Sequence, residues 1–299
     1  FTGMKNRIVE LCVTAVGTLL LFACNGQQQE GETLFRGSAQ IACDREIIGL
    51  IAPQIEWFRS RYEEAHIAVD TLDASEAMRR LLAGTVRAAF IARDYLPVED
   101  SLLRAYSIEQ HQRLLIATDA IVFAVLRTSA LDTIGEYVLQ RTIEGKPTSL
   151  SQYRWIIPGP TSSVTANLAR LGGRIGVPAM TVADGDSVML ALAEHRGDIG
   201  VVLLSQFLRR KDSLGLRALR VVIRDSVTGD RIAVAPHAAT IIKERYPFRV
   251  PIYGYLFESA KNFPFGIVSS IAHERQPQRA MLDAGIVPAY ARFTLVEQE

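Results

Sequence analysis

The sequence predicts an α/β fold with largely parallel sheets, and three observations carry that expectation. From Phe35 onward, short apolar runs alternate with segments of helical period, the pattern of successive β-α-β units. Of the 299 residues 48% are apolar and the formal net charge is +1, so the chain can bury a core and has no strong self-repulsion to keep it expanded. No internal repeat, heptad pattern or long low-complexity tract competes with that reading. At roughly 150 residues per domain, the length corresponds to about two domains.

The amino-terminal segment reads as an address. Lys5 and Arg7 precede an apolar run from Leu11 to Ala23, too short to span a bilayer but right for the core of a signal peptide, with Met4 as its natural start. The run ends in Leu21-Phe22-Ala23-Cys24, which resembles the lipobox of bacterial lipoproteins. Residues 1–23 are therefore expected to be removed, Cys24 to carry lipid, and the polar stretch 24–32 to act as a tether. An ordinary signal peptide with an incidental cysteine is the alternative. Cleavage would remove Cys12 and acylation would consume Cys24, leaving Cys43 without an intrachain disulfide partner.

The folded part opens with a strand at 38–43. Ile47, Ile51, Ile55, Phe58 and Tyr62 then recur at spacings of three and four, one stripe of an amphipathic helix. A strand at 67–72 leads to Asp73 and Glu76, spaced as a capping box for the helix that carries Met78, Leu81 and Leu82 and ends at Gly84. A strand at 86–92 completes a β-α-β-α-β run. Further strands are expected at 120–126, 153–157, 199–204, 219–223 and 252–257. The Pro158-Gly159-Pro160 turn delivers Thr161, Ser162 and Ser163 to the start of a helix, and other helices are expected at 187–195, 265–273 and 278–284.

Composition narrows the function classes. A balance of 33 basic against 32 acidic residues gives no electrostatic footprint for nucleic acid. Only five of the basic residues are lysines, so most positive charge sits on guanidinium groups suited to oxyanions and carboxylates. The five histidines are scattered outside metal-ligand spacings, and the Walker, GxSxG and GxGxxG patterns are absent, so neither metal, cofactor nor catalytic residue is nominated and binding is expected rather than catalysis.

What stands out is the strand-to-helix turns. Thr161-Ser162-Ser163 and Asp73-Ala74-Ser75 each place hydroxyls and free backbone N–H groups where anions bind, although Ser, Thr and Asp are also the ordinary N-caps of helices. Arg93 and Asp94 lie at the same sheet edge, just past the third strand.

In order and spacing these segments resemble the phosphate ABC transporter substrate-binding proteins (PstS-like), a family of periplasmic solute-binding lipoproteins. The resemblance runs through Trp57-Phe58, Gly84 followed by a strand and Arg93, Asp119-Ala120-Ile121-Val122, Thr161-Ser162-Ser163, and Val188 through Gly197-Asp198-Ile199-Gly200. It continues through Tyr246-Pro247-Phe248, Pro251-Ile252-Tyr253 and Gly285-Ile286-Val287-Pro288. The chain is most similar to a Bacteroidota-type subgroup with a Ser-Ser pair as at Ser162-Ser163 and an arginine at the position of Arg93. The resemblance implies a two-lobed periplasmic binding protein (type II) fold with two crossover segments and a small oxyanion, by default phosphate, between the lobes.

Three departures accompany it. The family's first Gly-Ser-Thr-like loop registers best on Cys43-Asp44-Arg45, where the Asp44 carboxylate would repel a dianion. Ile156, Ile157 and Pro158 occupy the stretch where the family carries an arginine, and Ser162 replaces its glycine. Arg45 and Arg93 are left to supply positive charge.

The expected division is a first lobe of residues 33–120 plus 216–299 and a second of 121–215, each with its own sheet. Asp44, Arg45, Ser75, Arg93, Asp94, Thr161, Ser162 and Ser163 are expected to converge as the ligand-binding set in the cleft between them. The partners implied are an ABC transporter permease and, through Cys24, the cell membrane on its periplasmic side. The alternative is a scaffold or sensor lipoprotein of the same fold, outside transport, associated with a TonB-type envelope complex; pairing of Arg45 and Arg93 with Asp44 and Asp94 would favour it.

Overall fold

The structure, a computed structural model, describes residues 31–105, 111–172, 176–225, 228–258 and 261–290. The expected signal peptide 1–23, Cys24 and most of the expected tether 24–32 lie outside the described residues. Thr33 onward forms one compact unit.

Strand β1 (Gly37–Asp44) runs parallel between β2 (Ala65–Leu72) and β3 (Ala88–Ile91), with Ile41, Ala42 and Cys43 fully buried. A single 3-10 turn, Arg45–Ile47, joins β1 to helix α1 (Ile48–Arg61), whose Ile51, Ile55 and Phe58 form the expected buried stripe. Helix α2 (Ala74–Leu82) packs Ala77, Met78 and Leu81 on the other face of the sheet. Its expected capping box does not form. Asp73 makes no cap bond; its carboxylate accepts from Thr161 Oγ1 (2.7 Å) and pairs with Arg45 (3.2 Å), while Glu76 binds Arg79 (2.6 Å) and Arg80 (3.0 Å). Charge-assisted partners outcompete a neutral amide for the same carboxylate.

Helix α3 (Pro97–Ala105) leads to β4 (Gln112–Leu126), 15 residues long where 120–126 was expected. Its extra first half takes its partner from far along the chain, strand β12 (Arg249–Leu256), a pairing no local pattern reports. The second half of β4 pairs instead with β8 (Ile199–Leu203), which continues to β6 (Trp155–Pro158) and β7 (Ala179–Val182). The partner changes between Ala120, opposite Arg249, and Ile121, opposite Leu203.

Hydrogen bonding is thus continuous from β2 through β1, β3, β12, β4, β8 and β6 to β7. The two lobes share a strand rather than owning separate sheets. The sheet is also mixed rather than largely parallel: β1–β2, β1–β3, β6–β7 and β6–β8 are parallel, whereas β4 and β12 run antiparallel to their neighbours because they carry the chain between lobes. The crossing is buried and bonded. Tyr246 Oη donates to Ile121 O (2.7 Å), and Asp119 Oδ1 accepts from Ala120 N (2.7 Å) and Ser205 N (3.2 Å).

By pairing, the return to the first lobe falls later than residue 216. Strand β9 (Leu216–Ala218) lies on the second half of β4. Strand β10 (Arg220–Arg224) joins β5 (Thr133–Gly135) and β11 (Arg231–Val234), and the chain regains the first half of β4 only at Arg249. The second lobe carries helices α4 (Glu136–Ile143), α5 (Ser163–Gly172) and α6 (Gly185–Ala193), of which α5 and α6 begin at the cleft. A short α7 (Leu204–Arg210) follows β8 directly.

Candidate functional site

The ends of β1 and β3 and the starts of α5, α6 and α7 meet between the lobes. On the first-lobe side, the chain turns at Asp44, whose carboxylate is fully buried and accepts from Glu46 N (3.1 Å) and Ala92 N (3.1 Å). Burial raises its pKa above the usual carboxylate range; the Ser163 hydroxyl, those two amides and the nearby Arg93 charge oppose the rise. Through its bond to Glu46 N, Asp44 fixes the turn that aims the next carboxylate across the cleft.

That carboxylate is Glu46. Its Oε1 accepts from Ser162 Oγ (2.8 Å), and its Oε2 from Gly185 N (3.0 Å) and Gln206 Nε2 (2.8 Å). Each donor belongs to the second lobe and each stands at the start of a helix: Ser162 precedes α5, Gly185 is the first residue of α6, and Gln206 lies in the first turn of α7. All three are neutral. Glu46 is 3% exposed, and burial first and the Asp44 charge second raise its pKa to about 7, against the three hydrogen bonds.

The cradle is built rather than incidental. Gln206 Oε1 accepts from Leu203 N (3.3 Å), which fixes the amide so that its Nε2 faces Glu46. At Gly185 a Cβ would come within 2.8 Å of Gln206 Cδ, so glycine is what allows both donors to approach the same oxygen.

Of the residues nominated from sequence, several are brought together. Ser75 N donates to Thr161 O (3.1 Å), and Thr161 Oγ1 to Asp73, so the two hydroxyl-bearing turns touch across the lobes; Asp44, Ser162 and Ser163 lie beside them. The cations among them are already paired with carboxylates. Arg45 faces Asp73 rather than Asp44. Arg93 is fully buried and gives both terminal nitrogens to Glu99 (2.7 Å each), while Asp94 is taken by Arg113. A guanidinium already matched to a carboxylate by two parallel bonds has little left for a ligand. Glu46, Gly185, Gln206 and Glu99 were not nominated. The Asp184-Gly185 step after a strand is the same turn signal that marked Ser162, but nothing local announces Gln206.

Further bonds close the lobes on each other. Asn167 Nδ2 donates to Ala92 O (2.8 Å) and Arg170 Nη2 to Tyr95 O (2.6 Å). Among the described residues, no group of three His, Cys, Asp or Glu side chains is placed to hold a metal ion, and no helix is long and apolar enough to cross a membrane.

Comparison with known proteins fits this geometry. Residues 28–272 match the family profile described as a PBP superfamily domain, a span that includes every element contributing to the cradle. The chain belongs to the PBP superfamily.

Solved structures share the superfamily fold at low identity. A structure described as a phosphate ABC transporter substrate-binding protein with bound phosphate, from Clostridium perfringens, is 12% identical with a TM-score of 0.68, over 84% of this chain and 99% of that one. An ABC-type phosphate transport receptor from Vibrio cholerae is 13% identical with a TM-score of 0.66, over 84% of this chain and 100% of that one. PstS from Borrelia burgdorferi is 14% identical with a TM-score of 0.54, over 85% of this chain and 99% of that one. No curated protein matches the sequence.

Proposed function

We propose that this member of the superfamily is a PstS-like solute-binding lipoprotein of the periplasm, which takes a small oxyanion between its lobes and delivers it to an ABC transporter permease. It binds rather than catalyses. The observation that carries the reading is the convergence of Ser162 Oγ, Gly185 N and Gln206 Nε2 on two carboxylate oxygens: these donors already hold an oxyanion group where three helices begin. Phosphate is the default ligand by analogy with the phosphate-binding neighbours, with Asp44, Arg45, Ser75, Arg93, Asp94, Thr161, Ser162 and Ser163 as the surrounding set. Anchoring to the cell membrane through Cys24 belongs to the same reading and is tested by acyl labelling of that residue.

A second reading is favoured by the ion pairs. With Arg45 on Asp73, Arg93 on Glu99 and Arg113 on Asp94, the charge that would recruit a dianion is internally neutralised, as suits a scaffold or sensor lipoprotein working with a TonB-type envelope complex. Calorimetry with phosphate, sulfate and small carboxylates separates the two. Binding of any of them at or below millimolar concentration, by the wild type or by a variant lacking the Glu46 carboxylate, is the result expected of a receptor; none by either protein at that concentration favours the scaffold.

A further inference from the structure

We propose that the Glu46 side chain is a built-in occupant of the cleft, and that the Ser162, Gly185 and Gln206 cradle it fills is a site for a small monoanionic carboxylate of the formate or acetate class. The inference rests on the cleft being the binding site of the fold, and it goes further by naming the ligand class and what blocks it.

The geometry is that of a ligand bound between lobes. The carboxylate comes from the first lobe, is removed from water, and takes its three hydrogen bonds from the second. A free anion would have to displace a group that is tethered in place and pays almost no association entropy. The lobes are bonded to each other through Glu46 and through Asn167, Thr161 and Arg170.

The chemistry of the cradle selects the class. Its donors are one hydroxyl, one helix-start amide and one carboxamide, sufficient for two oxygens and one negative charge. The charges nearby do not favour a second. Asp44 lies on the same turn as Glu46 and raises its pKa. From α6, Asp186 is engaged by Arg209 (3.9 Å) and Arg210 (3.7 Å), and the Arg209 guanidinium packs over Gly49 of α1. Arg45 and Arg93, on the first-lobe side, are held by Asp73 and Glu99. A dianion in this low-dielectric space would meet Asp44 with the Arg45 and Arg93 charges already matched by Asp73 and Glu99, whereas a monoanion reproduces what Glu46 already does.

The test is truncation and chemical rescue on the full folded chain. Glu46→Ala should bind formate or acetate at millimolar concentration by calorimetry and gain thermal stability from either, while the wild type responds to neither. Adding Ser162→Ala to Glu46→Ala should weaken that binding roughly tenfold, the loss of one hydrogen bond to a charged group. A folded Glu46→Ala protein that binds neither acid, or a wild type that binds them as well as the variant, overturns the proposal.

If Glu46→Ala folds only when formate or acetate is present, the proposal is supported. If it does not fold at all, Glu46→Gln decides. The amide fills the cradle without charge, so this variant should ignore both acids and lose the Glu46 share of the wild type's change in stability between pH 5 and 8, keeping only the smaller part due to Asp119; an unchanged profile overturns occupancy by the carboxylate. The underlying receptor reading fails separately: wild-type binding of phosphate that Glu46→Ala leaves unaltered sinks self-occupancy but keeps the receptor, while absence of binding of every anion by both proteins sinks both.

Discussion

Among the described residues two glutamates are buried, and they are held in opposite ways. Glu99 is clasped by the Arg93 guanidinium through two bonds of 2.7 Å and also accepts from Leu96 N at 2.7 Å. Glu46 is held by a hydroxyl, a backbone amide and a carboxamide, with Asp44 as its charged neighbour. The first is a closed ion pair within one lobe. The second is an uncompensated carboxylate bridging two lobes, which is how a binding protein holds a ligand rather than how a core holds itself together. A buried carboxylate backed by a cation is a fixture, whereas one backed only by neutral donors is sensitive to protons and open to replacement.

Removing the cation gives the largest expected effect. Arg93→Ala leaves Glu99 buried without a counter-charge and should cost about 3 to 5 kcal/mol in denaturant unfolding. Replacing both partners, as in Arg93→Met with Glu99→Leu, should recover most of that loss, because the penalty lies in the orphaned charge. A double variant as unstable as the single one would show that Arg93 matters for another reason, such as the Tyr255 hydroxyl bond to its carbonyl (2.7 Å).

Proton dependence comes next. The Glu46 carboxyl is raised from 4.5 to about 7 and Asp119 from 3.8 to about 6, so between these limits the folded protein binds more protons than the unfolded chain. Stability therefore falls as pH rises through that window, with Glu46 accounting for up to about 3 kcal/mol between pH 5 and 8. Glu76, lowered to about 2 by its bonds to Arg79 and Arg80, acts in the opposite sense below pH 4.5, so the optimum should lie near pH 5. Thermal melts across pH 4 to 8 check this, and a wild type more stable at pH 8 than at pH 5 would contradict the contrast between the two glutamates.

The smallest effect probes the cradle's shape. Gly185→Ala pushes a methyl against Gln206 and should cost of order 1 kcal/mol, less than the Arg93 loss because the side chain it displaces can shift. Measured by the same melts, the variant should also widen the pH dependence, because loosening a donor that holds the Glu46 pKa down lets it rise further. An unaltered pH profile would mean that Gln206 contributes little there.

Local pattern accounts for much of the architecture. The stripe Ile51, Ile55, Phe58, the strands around 41–43, 88–91 and 199–203, and the hydroxyl-rich turn before α5 all lie within a few residues of where periodicity and turn chemistry put them. The Asp73 and Glu76 pair shows the limit: the spacing of a capping box was present, but Thr161 and Arg45 arrive from elsewhere and take the carboxylate. The first half of β4 and the late return of the chain were invisible for the same reason, since their partners are separated from them by more than a hundred residues or by a choice among equivalent strands.

The amino-acid sequence by itself determined the alternation of strands and helices, the apolar faces they bury, and the helix starts where hydroxyls and free amides gather, because each depends on residues within a turn or two of one another. Only the tertiary structure decided which charges meet. Arg93 was legible as a cation at a sheet edge, yet its two hydrogen bonds to Glu99 depend on how the loop before α3 folds back. Glu46 gave no signal as one acidic residue beside an arginine. It becomes the centre of the cleft because closure brings Ser162, Gly185 and Gln206, 116, 139 and 160 residues further along the chain, to within 3.0 Å of its oxygens. Electrostatic energy depends on distance in space and on exclusion of water, and neither is written in sequence order.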